Sequence, residues 1–137
     1  MRVQHHHRRA VAAVELAVLL PLLVFLLVIA LDFARVYYKT LTITNCARNG
    51  AVYGSMDPTH SVDTTGIQTA ALADSTNLTP QPTVTSTTGT DEAGNPYVLV
   101  TVTTTFQTIT NYPGVPSSLA LTRTVQMRVA PVLPKNS

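Results

Sequence analysis

From Val11 to Leu31 the chain reads VAAVELAVLLPLLVFLLVIAL, and as an α-helix this run of about 21 residues rises about 31 Å, the depth of a bilayer's hydrocarbon core. Glu15 is its one ionisable side chain. A run this apolar commits the chain to a membrane and leaves about 80 to 100 residues for one small domain. The flanks set the orientation. Arg2, Arg8 and Arg9, with His5, His6 and His7 among them, precede the run, whereas Asp32 and Arg35 follow it. By the positive-inside rule the N-terminal tail stays cytoplasmic and everything beyond about residue 32 is exported. A secretory signal peptide has a shorter apolar core and ends in a small-x-small cleavage site; Ala30 and Ala34 do not have that spacing, so the run reads as a retained anchor. Pro21 removes one backbone donor inside the span, and a kink is expected there.

Beyond the membrane, DFARVYYKTLTITNCARNGAVYG has no proline and no glycine before Gly50. Phe33, Val36, Tyr37, Thr40, Ile43, Ala47 and Ala51 recur every three or four residues, the spacing of one helix face. One long helix from about Val11 to about Tyr53 is the economical reading, stopped by Gly54 and Asp57-Pro58. A loop follows, then a short helix over about 64–75 behind the cap candidates Asp63 and Thr64, with Ile67, Ala70, Ala71 and Asp74 or Leu78 at helical spacing. PTVTSTT reads as a strand, GTDEAGNP as a turn, and YVLVTVTTTFQT as a strand with Val98, Val100, Val102, Thr104 and Phe106 on one face. After a break at Asn111 to Ser118, SLALTRTVQMRVAP alternates Leu119, Leu121, Val125, Met127 and Val129 onto one face, interrupted by Arg123. The expected fold is α+β: a long N-terminal helix packed on a small antiparallel sheet, with one short extra helix. The expected parts are a basic leader (1–10), a transmembrane helix (11–31), its exported continuation (32–54) and an exported α+β domain (55–137). Threonine is dense from residue 79 to 110, which gives the sheet a polar, nearly uncharged outer face.

Charged residues make up 12% of the chain and the net charge is +2. With no Lys/Arg run and no basic patch interleaved with aromatics, nucleic acid is set aside as a partner. The single cysteine, Cys46, excludes an intramolecular disulfide, and no Cys/His cluster has zinc-site spacing. Cys46 reads first as a small side chain packed at a helix interface and second as a thiol for an intermolecular bond. His60, in MDPTHSVD, is the one conventional base of the exported part, and it reads as a solvated loop histidine rather than a catalytic or metal site. No phosphate loop, paired carboxylates or dinucleotide fingerprint is present. The chain is expected not to be an enzyme and to need no cofactor or metal.

Glu15 lies about one turn inside the cytoplasmic end of the span. An intramembrane carboxylate asks for a cationic partner, unless it stays at headgroup depth near the positive end of the helix. A basic pair (Arg8-Arg9), a small residue (Ala10), four small or apolar residues, Glu15 and a long apolar run together resemble the signature of type IV prepilins and pseudopilins. More closely, RRAVAAVELAVLLPLLVFLLVIALDFARVYY followed by TNCARNGAVYG resembles the TadE-like branch of tight-adherence pilus systems, over residues 8 to 54, with weaker agreement in LALTRTVQMRV. Ala10 stands where that family favours Gly, and Leu16 where it favours Phe.

The resemblance implies a minor pilin or pseudopilin of the bacterial inner membrane, in contact with other pilin subunits, a prepilin peptidase and a pilus assembly platform. It implies cleavage between Ala10 and Val11 and pairing of Glu15 with the new α-amino group of a neighbouring subunit. Asn45, Arg48 and Gly50 would then belong to packing of the exported helix on the small domain, with Gly50 permitting close approach. Two other readings are an uncleaved single-pass scaffold of a secretion complex and a membrane-anchored surface-binding domain that uses the Thr-rich sheet.

Overall fold

The computed structural model describes residues 4–109 and 116–131, with residues 4–10 as backbone alone. Its elements are α1 (Gln4–Gly54), α2 (Pro58–Val62), α3 (Thr64–Leu72), β1 (Thr83–Thr90), β2 (Pro96–Gln107) and β3 (Ser118–Arg128). The α+β expectation holds. The chain divides into two compact units, residues 1–35 and 36–137, and α1 contributes to both.

In the first unit the backbone stays helical through Pro21. Nearly every side chain from Val11 to Leu26 is exposed. Among the described residues α1 is the one helix long and apolar enough to cross a membrane. Asp32 and Arg35, one turn apart, form an ion pair of 3.0 Å just beyond the apolar run.

In the second unit α1 buries Ile43, Cys46, Ala47, Gly50, Ala51 and Gly54, whose alternating steps of three and one make a narrow stripe. These residues join Ile67 and Ala71 of α3, Leu78, and the inner face of β2 (Val98, Val100, Val102, Phe106) in one core. The three strands are antiparallel in the order β1-β2-β3. Val84 pairs with Val102 on one side, and Val100 pairs with Val125 on the other. Even-numbered residues of β2 therefore face the helices and odd-numbered ones face away. The β1–β2 turn is closed by Asp91, whose carboxylate accepts from the backbone N–H of Ala93 at 3.0 Å and of Asn95 at 2.8 Å. Gly94 takes the positive φ (81°) that this turn needs.

Several expectations shift. The loop after Gly54 contains a helix, α2, because Asp57-Pro58 starts one as well as stopping α1: Asp57 caps it and Pro58 fills its first position. His60 therefore sits on a helix. Helix α1 begins at Gln4, earlier than Val11, and α3 ends at Leu72, earlier than about 75. Asp63 is the N-cap of α3, as expected. Phe33 and Tyr37, placed by spacing on the packed stripe, are 72% and 67% exposed. Leu119 and Arg123 also lie exposed on β3. The break carrying Pro113 and Gly114 lies outside the described residues.

Candidate functional site

The sequence put the functional weight on the start of α1. Val11 and Glu15 are one turn apart and so share a face of the helix, with Val18, Leu19 and Leu22 continuing it. Glu15 is exposed, and the ion pairs found among the described residues do not involve it. Its neighbours Val14 and Leu16 are 65% and 58% exposed, so the carboxylate stands in an apolar surface that the chain itself leaves uncovered. The side chain of Ala10 lies outside the described residues; its backbone continues the helix into Val11.

Farther along α1, the residues proposed for packing divide. Gly50 is buried, and a Cβ there would lie 3.1 Å from both Ala71 Cβ and Val100 Cγ1. This is the close approach expected of it. Asn45 and Arg48 are exposed instead. The packing contact falls to Asn49, which donates to the Asp74 carboxylate at 2.6 Å. With Tyr37, Leu41 and Val52, the exposed Asn45 and Arg48 form a second stripe along α1, opposite the core. Sequence spacing assigned Tyr37 to the wrong stripe because aromatic and aliphatic residues lie on both.

Cys46 is fully buried in the core. Burial, then the nearby Asp74 charge, raises its pKa. This burial supports the first reading of Cys46, a small packed side chain, over a thiol for an intermolecular bond, because burial disfavours the thiolate.

Around the α1–α2–α3 corner four polar side chains meet. His60 Nδ1 lies 2.7 Å from Asp57 Oδ2. The Tyr53 hydroxyl donates to Asp63 at 2.8 Å, and the Tyr53 and His60 rings meet edge to face at 4.8 Å. Each carboxylate is already committed to a helix start. Asp57 accepts from the His60 N–H at 2.8 Å, and Asp63 accepts from the Gly66 N–H at 2.9 Å. Those backbone bonds are the first cause holding both carboxyls below the usual range. The bond to Asp63 raises the pKa of Tyr53. This arrangement is a pair of helix caps stitched together, and it sets no nucleophile against a base. Among the described residues no group of three or more His, Cys, Asp or Glu is placed to hold a metal.

These elements define an α+β chain with one bilayer-length apolar helix at its N-terminal end and a small antiparallel sheet behind it. Residues 10–52 match the family model described as TadE-like protein. Over that segment the chain is similar to TadE-like proteins, in line with the resemblance its sequence carries. The match begins at Ala10, includes Glu15 and ends in the last turn of α1, so the sheet lies outside it. No curated protein and no solved structure matches the chain.

Proposed function

We propose that the chain is a non-enzymatic minor pilin or pseudopilin, held in the bacterial inner membrane by residues 11–31, that takes part in assembling a tight-adherence pilus and so in surface attachment. The observation that carries this reading is the family match beginning at Ala10, at the proposed cut, and taking in Glu15. In this reading the leader of residues 1–10 is cytoplasmic and the domain after residue 54 is exported. A prepilin peptidase cuts between Ala10 and Val11, and the new α-amino group of one subunit pairs with Glu15 of the next. The exposed apolar surface of α1 supports a double use: bilayer lipids cover it during storage, and other subunits' helices cover it on the assembly platform and in the assembled structure. A charge pair set in that surface would fix the axial register, because a one-turn slip separates the charges by about 5 Å and strands them in an apolar medium.

Mass spectrometry of the mature N-terminus in cells that contain the peptidase tests the cut. A chain starting at Val11 is expected; an intact leader overturns the processing step and favours the uncleaved scaffold. Glu15→Gln tests the pairing. Cleavage should continue and incorporation into the pilus should fall at least tenfold, whereas normal incorporation overturns the role given to Glu15.

A further inference from the structure

The face of the sheet turned away from the helices is a lattice of threonines. Thr83 pairs with Thr103 and Thr103 with Thr122; one step along, Thr85 pairs with Thr101 and Thr101 with Thr124. Two complete rows of three threonines therefore cross all three strands, at about 4.8 Å between strands and about 6.7 Å between rows. Within the rows, Thr101 Oγ1 lies 2.9 Å from Thr124 Oγ1 and Thr103 Oγ1 lies 3.1 Å from Thr122 Oγ1. Each such pair uses one hydroxyl proton and keeps the other, together with unused lone pairs, to offer outward.

The same face carries an aromatic plate. Gly89 pairs with Tyr97, and a Cβ on Gly89 would fall 2.5 Å from the Tyr97 ring, so the ring lies across the glycine, separated from the nearer threonine row by the row of Thr87, Leu99 and Gln126. Charge is nearly absent. Among the described residues of this face Arg128 is the one ionised side chain, and it is paired with Asp91 at 2.9 Å.

We propose that this outer face binds a neutral polysaccharide. A face with paired charge offers no Coulombic attraction to nucleic acid, anionic lipid or acidic glycans. A second copy of the sheet is disfavoured as occupant, because face-to-face sheet packing needs interdigitating apolar side chains and these rows are hydroxylated. A neutral sugar polymer fits on each count. Its hydroxyls exchange hydrogen bonds with the free donor and acceptors of the threonine pairs, its C–H surfaces meet the threonine methyls, and one sugar ring stacks on Tyr97. The proposal rests on the sheet alone and stands whether or not the leader is cut or the chain enters a pilus.

The test uses the full chain in a detergent without a sugar headgroup, passed over cellulose, chitin and cross-linked dextran. Retention on at least one is expected, unchanged between 0.1 and about 0.5 M salt because ions screen only charges. Combining Thr101→Val, Thr103→Val, Thr122→Val and Thr124→Val removes the hydroxyls while keeping shape and β-propensity, and should lower retention at least tenfold. Tyr97→Ala should lower it severalfold. Thr124→Glu alone, which keeps the other threonines, gives a second route should the fourfold variant misfold, and should also abolish retention. No retention on any of the three polymers, or equal retention of parent and folded variants, overturns the proposal.

Discussion

Gly50 shows how narrowly this core is built. Two side-chain carbons at 3.1 Å and the Ile67 carbonyl oxygen at 3.3 Å surround the place where a Cβ would sit. Alanine would recover about 1 kcal/mol of helix propensity and lose a comparable amount to crowding, so Gly50→Ala should change stability by less than about 1 kcal/mol. Gly50→Val adds branched atoms with nowhere to go and should cost about 2 kcal/mol or more, read as a lower denaturant midpoint. Thr104 presents the reverse case. It is buried on the inner face of β2, and its hydroxyl finds no hydrogen-bond partner among the described residues. Thr104→Val should raise stability by about 1 kcal/mol, and a lower melting temperature would contradict the unpaired hydroxyl. Cys46 should react with a maleimide only after denaturant is added.

The α2–α3 corner is where pH acts on an element. Asp57 and Asp63 have depressed pKa values when folded, so their contribution is complete above the unfolded value of about 3.9 and is lost as pH falls through the folded values. Tyr53 has the opposite sign: its raised value gives a contribution present below about pH 10 and lost as pH rises past the folded value. The melting temperature should therefore be flat between these limits and fall on both sides. Asp63→Asn should flatten part of the acid limb and part of the alkaline one. A second element-level device is Arg123, on the helix side of edge strand β3 opposite Val102 yet exposed. A charge pointing inward on an edge strand discourages another strand from docking. Arg123→Val should shift the detergent-solubilised chain toward larger species in sedimentation velocity.

Much of this architecture was legible. The alternation in YVLVTVTTTFQT gave β2 and its inner face, because a period of two admits one assignment. Helix α1 beyond its apolar run was legible as an element but less so as a surface: its apolar residues occupy two stripes, and spacing alone does not say which one the sheet covers. Glycine, alanine and cysteine won the sheet-facing stripe through close approach, a property of size that hydrophobic pattern underweights. Helix α2 was missed because Asp-Pro serves equally as a helix stop and a helix start. Glu15 stood out in the sequence through its cost in an apolar run, and the role proposed for it rests on that cost and on the family match.

At the scale of the whole molecule, the uncovered apolar length of α1 should keep the chain in the membrane pellet through an alkaline carbonate wash. Leu23→Arg puts a charge at mid-span at a cost of about 3 kcal/mol on insertion scales and should move part of the chain to the soluble fraction. If the domain is exported, protease added to the outside of spheroplasts should digest it, and protease sealed inside inverted vesicles should reach it equally. Digestion from the cytoplasmic side would reverse the orientation argued from Arg2, Arg8 and Arg9.

The seam of Ala47, Gly50, Ala51, Gly54 and Ala71 also bears on how this chain can diverge. With the glycines there this tightly packed, random substitution should leave only the smallest residues in folded survivors, while the outward threonines of the sheet, which lie on the face away from the core, should drift more freely under selection for folding alone. A library sorted first for folding and then for retention on a polysaccharide would separate the two pressures. Positions that tolerate everything in the first sort and only threonine in the second would mark the part of the surface that is kept for what it touches.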